Sequence, residues 1–249
     1  MNFFELHNQK EALLIANVWD ATSAVVAQKA GYQVLGTSSA AIAATLGYED
    51  GQFISFDELF YIVTRIKSVS NLPLSVDIEA GFGNEINEIT DNLKRLAQLG
   101  VVGVNLEDSK IVNHVRELND AIAFTDTIQA IRDKLDSEGY NLFLNIRTDT
   151  YLLAHDKALQ ETLLRGQLYK AAGADGLFVP CLTSENDIKT ISNAIGLPLN
   201  IMYKPGLPSF DKLKKIGVSR ISMGNLLHST IYSKLENLMS LIKLHQTIE

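Results

Sequence analysis

A regular alternation of short apolar runs with longer helical segments constrains the fold of this chain most strongly. The apolar runs have the length and composition of β-strands, and each is followed by a turn and a segment of helical period. They are residues 13–19, 34–38, 74–78, 101–106, 142–146, 176–179, 199–203 and 220–223. Most are apolar nearly throughout, which is typical of parallel strands covered on both faces.

The helical segments between these runs complete eight strand–helix units. They are residues 21–30, 56–69, 86–99, 121–135, 157–172, 185–194, 209–216 and 226–247, and several end in a glycine, the usual helix stop. Eight such units in 249 residues predict an α/β fold of the (β/α)₈ TIM-barrel type, with residues 1–249 as a single domain. A doubly wound open sheet is the alternative, but it normally has fewer strands.

Composition and charge exclude several classes of partner. The formal net charge of −7 argues against nucleic acid, which requires a basic surface. We expect no membrane partner, because no apolar run approaches the roughly 20 residues of a membrane span. The single cysteine, Cys181, allows no internal disulfide, and the N-terminus lacks a secretory leader pattern, so we expect a cytoplasmic protein.

Acidic residues gather where the predicted strands end. Asp77 and Glu79 follow the third run and point the same way, because side chains on a strand alternate with period two. Glu107 ends the fourth run, and Asp50 lies in the loop after the second. Converging carboxylates repel one another unless a cation joins them, and oxygen ligands without histidine or cysteine suit Mg²⁺, or Mn²⁺ in its place. We expect Asp77 to bind the ion directly and the other three acids to act through water.

Six sequence motifs carry a resemblance to a known superfamily. They are Asn-Val-Trp-Asp-Ala at 17–21, Gly-Thr-Ser-Ser-Ala-Ala at 36–41 with Leu-Gly-Tyr-Glu-Asp-Gly at 46–51, Ser-Val-Asp-Ile-Glu-Ala-Gly-Phe-Gly at 75–83, Val-Asn-Leu-Glu-Asp-Ser at 104–109, Asn-Ile-Arg-Thr-Asp-Thr at 145–150 and Gly-Leu-Phe-Val-Pro at 176–180. In this order and register they resemble the isocitrate lyase / phosphoenolpyruvate mutase superfamily. The resemblance runs from about residue 14 to residue 224.

The resemblance implies a Mg²⁺-dependent barrel that makes or breaks a carbon–carbon or carbon–phosphorus bond in a small 2-oxo acid. By analogy, the residues that surround the metal are Asp77, Glu79 and Glu107, with Asp50 nearby. The catalytic residues would be Arg147, Asp50 and Glu107, and the substrate-binding residues would be Trp19, Ser38, Ser39, Ala40, Arg147 and Asn225. Backbone N–H groups at 38–40 would hold the substrate carboxylate, and Arg147 would stabilise the developing oxyanion.

Departures from the superfamily pattern narrow the expected reaction. The lyase branches resemble one another in a Lys-x-Cys-Gly-His segment after the fourth strand, whose thiol donates a proton, but residues 108–116 contain no cysteine. Lys110 and Asn113 resemble the gating loop of the mutase and phosphonopyruvate hydrolase branches only loosely. We therefore expect an oxaloacetate decarboxylase-like cleavage through a metal-stabilised enolpyruvate. The alternatives are phosphonopyruvate hydrolase or mutase chemistry and a non-catalytic oxo-acid binder.

Several residues also have a plainer interpretation. Asp77 and Glu79 could be capping or solvated acids, and Arg147 could pair structurally with Asp149. Asp108 follows Glu107 directly and so faces the opposite way, which favours a structural role. Lys204 suggests a Schiff-base alternative, because a lysine late in a barrel strand can attack an oxo acid.

Two further segments carry predictions of packing. Cys181 ends the sixth strand, where a small buried apolar residue is the default interpretation. The Leu-rich segment at about 225–247 is first an amphipathic core helix. It is also a candidate for contacts in a homo-oligomer, a dimer or tetramer, because members of the superfamily often share their last helix.

Overall fold

The strands and helices follow each other in the predicted order. The computed structural model describes residues 2–51 and 53–245. The strands are β1 (Leu13–Leu14), β2 (Ala16–Val18), β3 (Leu35–Thr37), β4 (Leu74–Asp77), β5 (Gly103–Glu107), β6 (Ser109–Val112), β7 (Val115–Leu118), β8 (Phe143–Arg147), β9 (Gly176–Val179), β10 (Leu199–Met202) and β11 (Val218–Ser222). The α-helices are α1 (Ala21–Lys29), α2 (Ser39–Leu46), α3 (Phe56–Val69), α4 (Ile86–Gln98), α5 (Ala121–Ser137), α6 (Ala158–Ala171), α7 (Glu185–Ile195), α8 (Phe210–Lys215) and α9 (Leu226–His245), and a 3₁₀ helix spans Glu5–Asn8.

The main sheet is parallel and closes on itself. Its strand order is β1-β11-β10-β9-β8-β5-β4-β3-β2, and β1 and β2 are two parts of one run. That run joins the two edges, because the Ile15 N–H donates to the Ile221 carbonyl at 2.9 Å and the Ala16 N–H donates to the Val34 carbonyl at 3.2 Å. The result is the (β/α)₈ barrel expected from the sequence, and it directs every strand's carboxyl end to one face.

Hydrophobic packing closes the opposite face of the barrel. Phe3, just before the N-terminal 3₁₀ helix, and Leu6, within it, are buried with Phe143. The His7 ring stacks on the Phe143 ring with centroids 4.2 Å apart. The barrel therefore opens to solvent at the carboxyl ends of its strands, where the polar residues predicted from the sequence lie.

Besides the N-terminal 3₁₀ helix, two elements were absent from the sequence prediction. One is the antiparallel hairpin of β6 and β7, and the other is α2, which follows β3 directly. Helix α2 is only eight residues long and lacks a polar face, so its sequence carries no clear helical period. The hairpin turns at Asn113 and His114, both with positive φ, without the Asn-Gly or Asp-Gly pair that marks such turns most clearly.

Helix α9 differs from the predicted core helix. Among its residues Leu226–His245, none is buried. Residues 246 and 247 of the predicted segment lie outside the described residues. The hydrophobic positions of α9 therefore contribute little to the core of this chain.

None of the helices in the described ranges is both long enough and apolar enough to cross a lipid bilayer.

Candidate active site

The end of β4 holds two acids in a constrained arrangement. The Asp77 N–H donates to Thr37 Oγ1 at 2.8 Å, and Ser39 Oγ donates to Asp77 Oδ2 at 2.9 Å. Glu79 is 3% exposed, and its φ of +50° places a non-glycine residue in the left-handed region. Such backbone strain is concentrated at functional sites, where the surrounding structure maintains it. Both acids are therefore held in place by the surrounding structure. This differs from the plainer interpretation, in which they are solvated.

The N-terminus of α2 lies beside Asp77. Ser38 caps this helix, because its Oγ accepts a hydrogen bond from the Ala41 N–H at 3.3 Å. The N–H groups of Ser39 and Ala40 belong to the first turn, where a helix supplies no backbone acceptor. This geometry favours an anion at Ser39 and Ala40. The Ser38 N–H instead donates to the Val18 carbonyl at 3.1 Å, and carboxylate binding at residues 38–40 stays a prediction.

Arg147 connects the ends of β5 and β8. Its Nη1 lies 2.8 Å from Glu107 Oε2, and its Nε and Nη2 donate to the two oxygens of Asp149 at 2.6 and 3.1 Å. Arg147 therefore forms the ion pair with Asp149 that the plainer interpretation of this residue predicts. It also lies against Glu107, so its guanidinium is within the acid cluster.

A second arginine, which the sequence analysis missed, comes from the β6–β7 hairpin. The Arg116 guanidinium contacts Glu107 Oε1 and lies 3.4 Å from both Glu79 Oε2 and Asp149 Oδ2. Ser109 Oγ, at the start of the same hairpin, donates to Asp149 Oδ2 at 2.5 Å. The sequence carries no clear signal for this hairpin, because residues 109–112 and 115–118 do not alternate strictly between apolar and polar side chains. We call Asp50, Asp77, Glu79, Glu107 and Asp149 the acid cluster from here on.

Burial and mutual repulsion shift the protonation of this cluster. Burial, together with the carboxylates of Asp77 and Asp50, raises the pKa of Glu79 to about 7. Burial also raises the pKa of Glu107 well above its usual range, against the opposing effect of Arg147. Asp50 lies on an exposed loop, but desolvation of its carboxyl group and the charge of Asp77 raise its pKa as well. The cluster is thus short of positive charge even with two arginines beside it.

The donor set fits a hard divalent cation that keeps much of its water. Within residues 2–51 and 53–245, no three acidic, histidine or cysteine side chains converge closely enough to form a ligand set by themselves. Glu107 Oε2 is buried and accepts no aligned hydrogen bond among the described residues, although Arg147 is close to it. Mg²⁺ commonly binds through one or two carboxylates plus water and substrate oxygens, which suits Asp77 at this position.

Asp108 points away from the acid cluster, into the packing between β5 and α6. Its Oδ2 accepts hydrogen bonds from Arg165 at 3.1 Å and from the Tyr169 hydroxyl at 2.8 Å. Its Oδ1 accepts one from the Asp149 N–H at 3.0 Å. Asp108 therefore fixes the backbone that presents Asp149.

Two predicted substrate residues lie apart from these contacts. Trp19 is buried, and its ring meets the His228 ring of α9 edge-on with centroids 5.1 Å apart. It lines an apolar groove of about 490 Å³ between α1 and α9. Asn225 is exposed just before α9, where its carbonyl accepts a hydrogen bond from the Ser229 N–H at 3.0 Å. The roles of both residues in substrate binding remain predictions.

Cys181 and Lys204 meet at the ends of β9 and β10. Lys204 Nζ lies 3.8 Å from Cys181 Sγ. Cys181 is half-buried with a φ of +64°, whereas the sequence predicted a fully buried residue. The Schiff-base alternative on Lys204 has no support in the contacts of this lysine, since its nearest polar partner is a thiol.

A cavity of about 570 Å³ adjoins the acid cluster. Glu79 and Glu107 lie on its wall, and its other lining residues include Asn84, Ile111 and Phe124. The volume is within the range of small-molecule pockets. It leaves space for a ligand that extends beyond a two-carbon chelating unit.

Comparison with known proteins agrees with this architecture. Residues 3–243 match the profile of the family described as phosphoenolpyruvate phosphomutase. A solved structure from Burkholderia cenocepacia J2315, called a phosphonomutase, is 35% identical, has a TM-score of 0.90, and is matched over 96% of this chain and 97% of its own. The 2-methylisocitrate lyase of Salmonella typhimurium is 29% identical over 85% of this chain and 73% of its own length. The oxaloacetate decarboxylase of Pseudomonas entomophila is 26% identical over 94% of this chain and 80% of its own.

The family match covers nearly the whole chain, and these relatives include lyases. The barrel, the six motifs and the cluster at the strand ends agree with that match. The chain therefore belongs to the phosphoenolpyruvate phosphomutase family, and it is an enzyme of the isocitrate lyase / phosphoenolpyruvate mutase superfamily.

Proposed function

We propose that this enzyme cleaves a carbon–carbon bond in a small 2-oxo dicarboxylate, with oxaloacetate as the substrate and Mg²⁺ as the cofactor. The observation that carries the proposal is that Arg147 lies against Glu107 at the strand ends, where Asp77 and Glu79 are close enough for their carboxylates to repel each other. The similarity to an oxaloacetate decarboxylase over 94% of the chain supports the same substrate. The absence of a cysteine in residues 108–116 speaks against a reaction that needs a thiol acid there.

The cofactor would be held by Asp77 directly and by Glu79, Glu107 and Asp50 through water. When bound, Mg²⁺ supplies Lewis-acid polarisation of the keto oxygen and carboxylate of the 2-oxo acid. Mn²⁺ offers the same ligand preference for oxygen.

The protein's own groups would orient the substrate and compensate its charge. The N–H groups of Ser39 and Ala40 would bind the carboxylate next to the ketone, as helix N-termini bind anions. Cleavage of the C3–C4 bond releases CO₂ and leaves its electron pair as the enolate of pyruvate, which then takes up a proton at C3. Arg147, fixed by two hydrogen bonds to Asp149, would stabilise the negative charge that develops on the enolate oxygen.

The test is pyruvate release from oxaloacetate by the purified protein with Mg²⁺, measured against Mg²⁺ alone. We expect Asp77→Asn to lower the enzymatic rate about 100-fold, because it removes a charge on which the electrostatic stabilisation depends. Asp175→Asn is the matched control. Asp175 pairs with Arg132 before β9, at the opposite end of the barrel, so this variant should keep the rate.

The possible outcomes separate the competing functions. A rate no higher than the Mg²⁺ background would reject oxaloacetate as the substrate. Mg²⁺-dependent binding of pyruvate or oxalate, without turnover of a panel of 2-oxo acids, would instead indicate a non-catalytic binder.

Carbon–phosphorus chemistry is the second candidate. The observation in its favour is the 35% identical structure called a phosphonomutase. Release of phosphate from phosphonopyruvate, at a rate above that of oxaloacetate decarboxylation, would establish it in place of the first.

A further inference from the structure

The β6–β7 hairpin has one face turned toward the barrel and one toward solvent. Its register pairs Ile111 with Arg116 and Lys110 with Glu117. Ile111 and Arg116 are partly buried, whereas Lys110 and Glu117 are exposed. Arg116 is therefore the inward cation of the hairpin, whereas the exposed Lys110 borders the cavity beside the acid cluster.

Arg116 occupies the oxygens that a divalent cation would need. Its guanidinium contacts Glu107 Oε1 and reaches Glu79 Oε2 at 3.4 Å, and it is only 15% exposed. The other oxygen of Glu107 already faces Arg147 at 2.8 Å. A doubly charged ion held by Asp77, and by Glu79 and Glu107 through water, would share these two carboxylates with Arg116 and repel it.

We propose that Arg116 neutralises the acid cluster in the metal-free enzyme. It lies between Glu79 and Glu107 until a divalent ion replaces it, and ion binding then releases the hairpin. The inference rests on the proposed function, since it takes the acid cluster as the cofactor site. Arg116 then acts as a positioning residue. It keeps buried carboxylates paired in the metal-free enzyme and makes metal entry depend on a movement of the hairpin.

The hairpin's own packing connects this exchange to the loop that carries Asp50. The His114 ring stacks on the Phe53 ring with centroids 6.0 Å apart. Gly51 lies so close to Ile111 that a Cβ at position 51 would overlap the Ile111 side chain. Displacement of Arg116 would thus loosen both segments that border the acid cluster.

The first experiment measures Mn²⁺ binding by calorimetry in the absence of any oxo acid. Arg116→Met removes the competing charge but keeps an unbranched side chain, and we expect it to bind Mn²⁺ about tenfold more tightly than the wild type. Arg116→Lys should fall between the two, because an ammonium cannot bridge two carboxylates as a guanidinium does. Arg65→Met, the same substitution at an exposed arginine of α3, is the matched control and should stay within about twofold of the wild type, since exposed charges are screened.

The second experiment follows hydrogen exchange of the amides at 109–118. In the wild type, Mn²⁺ should speed their exchange. In Arg116→Met, exchange should be fast without the ion and unchanged by it, while Arg65→Met should behave like the wild type. Thermal melting of each variant establishes that it is folded.

The outcomes distinguish this inference from the proposed function. Equal Mn²⁺ affinity in the wild type, Arg116→Met and Arg116→Lys would overturn the inference alone, as would slower hairpin exchange on ion binding. No Mn²⁺ uptake by any variant would overturn both the inference and the cofactor role of the acid cluster.

Discussion

Glu107 and Asp108 are adjacent acids with opposite surroundings. Glu107 faces two arginines within the acid cluster, whereas Asp108 accepts hydrogen bonds from Arg165 and Tyr169 in the packing behind β5. The alternation of side chains along a strand accounts for this division. Loss of the Glu107 carboxylate should therefore affect the reaction, whereas loss of the Asp108 carboxylate should affect stability.

We expect Asp108→Asn to lower the free energy of unfolding by about 3 kcal/mol, because it removes the buried carboxylate that pairs with Arg165 and leaves this arginine with Glu161 alone. Glu107→Gln should cost less stability, since it removes one of several crowded negative charges, yet it should reduce turnover strongly. Urea unfolding and the oxaloacetate assay measure the two effects. A larger loss of stability in Glu107→Gln than in Asp108→Asn would contradict this assignment.

At the scale of elements, the β6–β7 hairpin completes the site although it lies outside the barrel sheet. It supplies Ser109 and Arg116, and it rests on the segment around Gly51. Gly51 has a φ of +112°, a conformation that side-chain-bearing residues rarely adopt. The contact between hairpin and loop therefore depends on this glycine.

Gly51→Ala should separate the hairpin from the loop and lower turnover, because the added methyl group meets Ile111 and the backbone becomes strained. Gly139→Ala is the control: its φ is +76°, and nothing lies within 4 Å of the added Cβ. Both variants should lose roughly 1 kcal/mol of stability through backbone strain. Only Gly51→Ala should speed hydrogen exchange at 109–118, and equal exchange in the two variants would argue against the contact.

At the scale of the whole molecule, α9 presents an apolar surface that none of the described parts of the chain covers. Its large exposed side chains include Ile231, Leu235, Leu238, Met239, Leu241 and Leu244. Extended apolar patches of this kind are typical of interaction surfaces. We propose that α9 packs against a second copy of the chain, which the superfamily resemblance also suggests.

We expect light scattering after gel filtration to show a dimer or tetramer for the wild type at micromolar concentration. Leu238→Glu combined with Leu241→Glu should shift it toward the monomer, because two charges would enter the apolar contact. Ile122→Glu on α5, where the wild-type side chain is 58% exposed, should leave the oligomer intact. A monomeric wild type would rule out the assembly.

Sequence periodicity alone predicted the barrel, since eight apolar runs and eight helical segments leave few other ways to bury both strand faces. All eight runs form strands of the sheet, and Asp77, Glu79 and Glu107 lie at strand ends because position along a strand is a local property. The alternation of side chains along a strand also predicted different roles for Glu107 and Asp108.

Only the tertiary structure decided which charges meet. Arg116 reaches Glu79 across 37 residues, and that contact depends on how a hairpin folds back over the strand ends. Packing between distant segments likewise decides that Arg147 pairs with both Glu107 and Asp149. It also decides that Trp19 contacts α9 and that α9 is exposed. Periodicity reports which face of an element is apolar, but the partner of that face is a property of the whole fold.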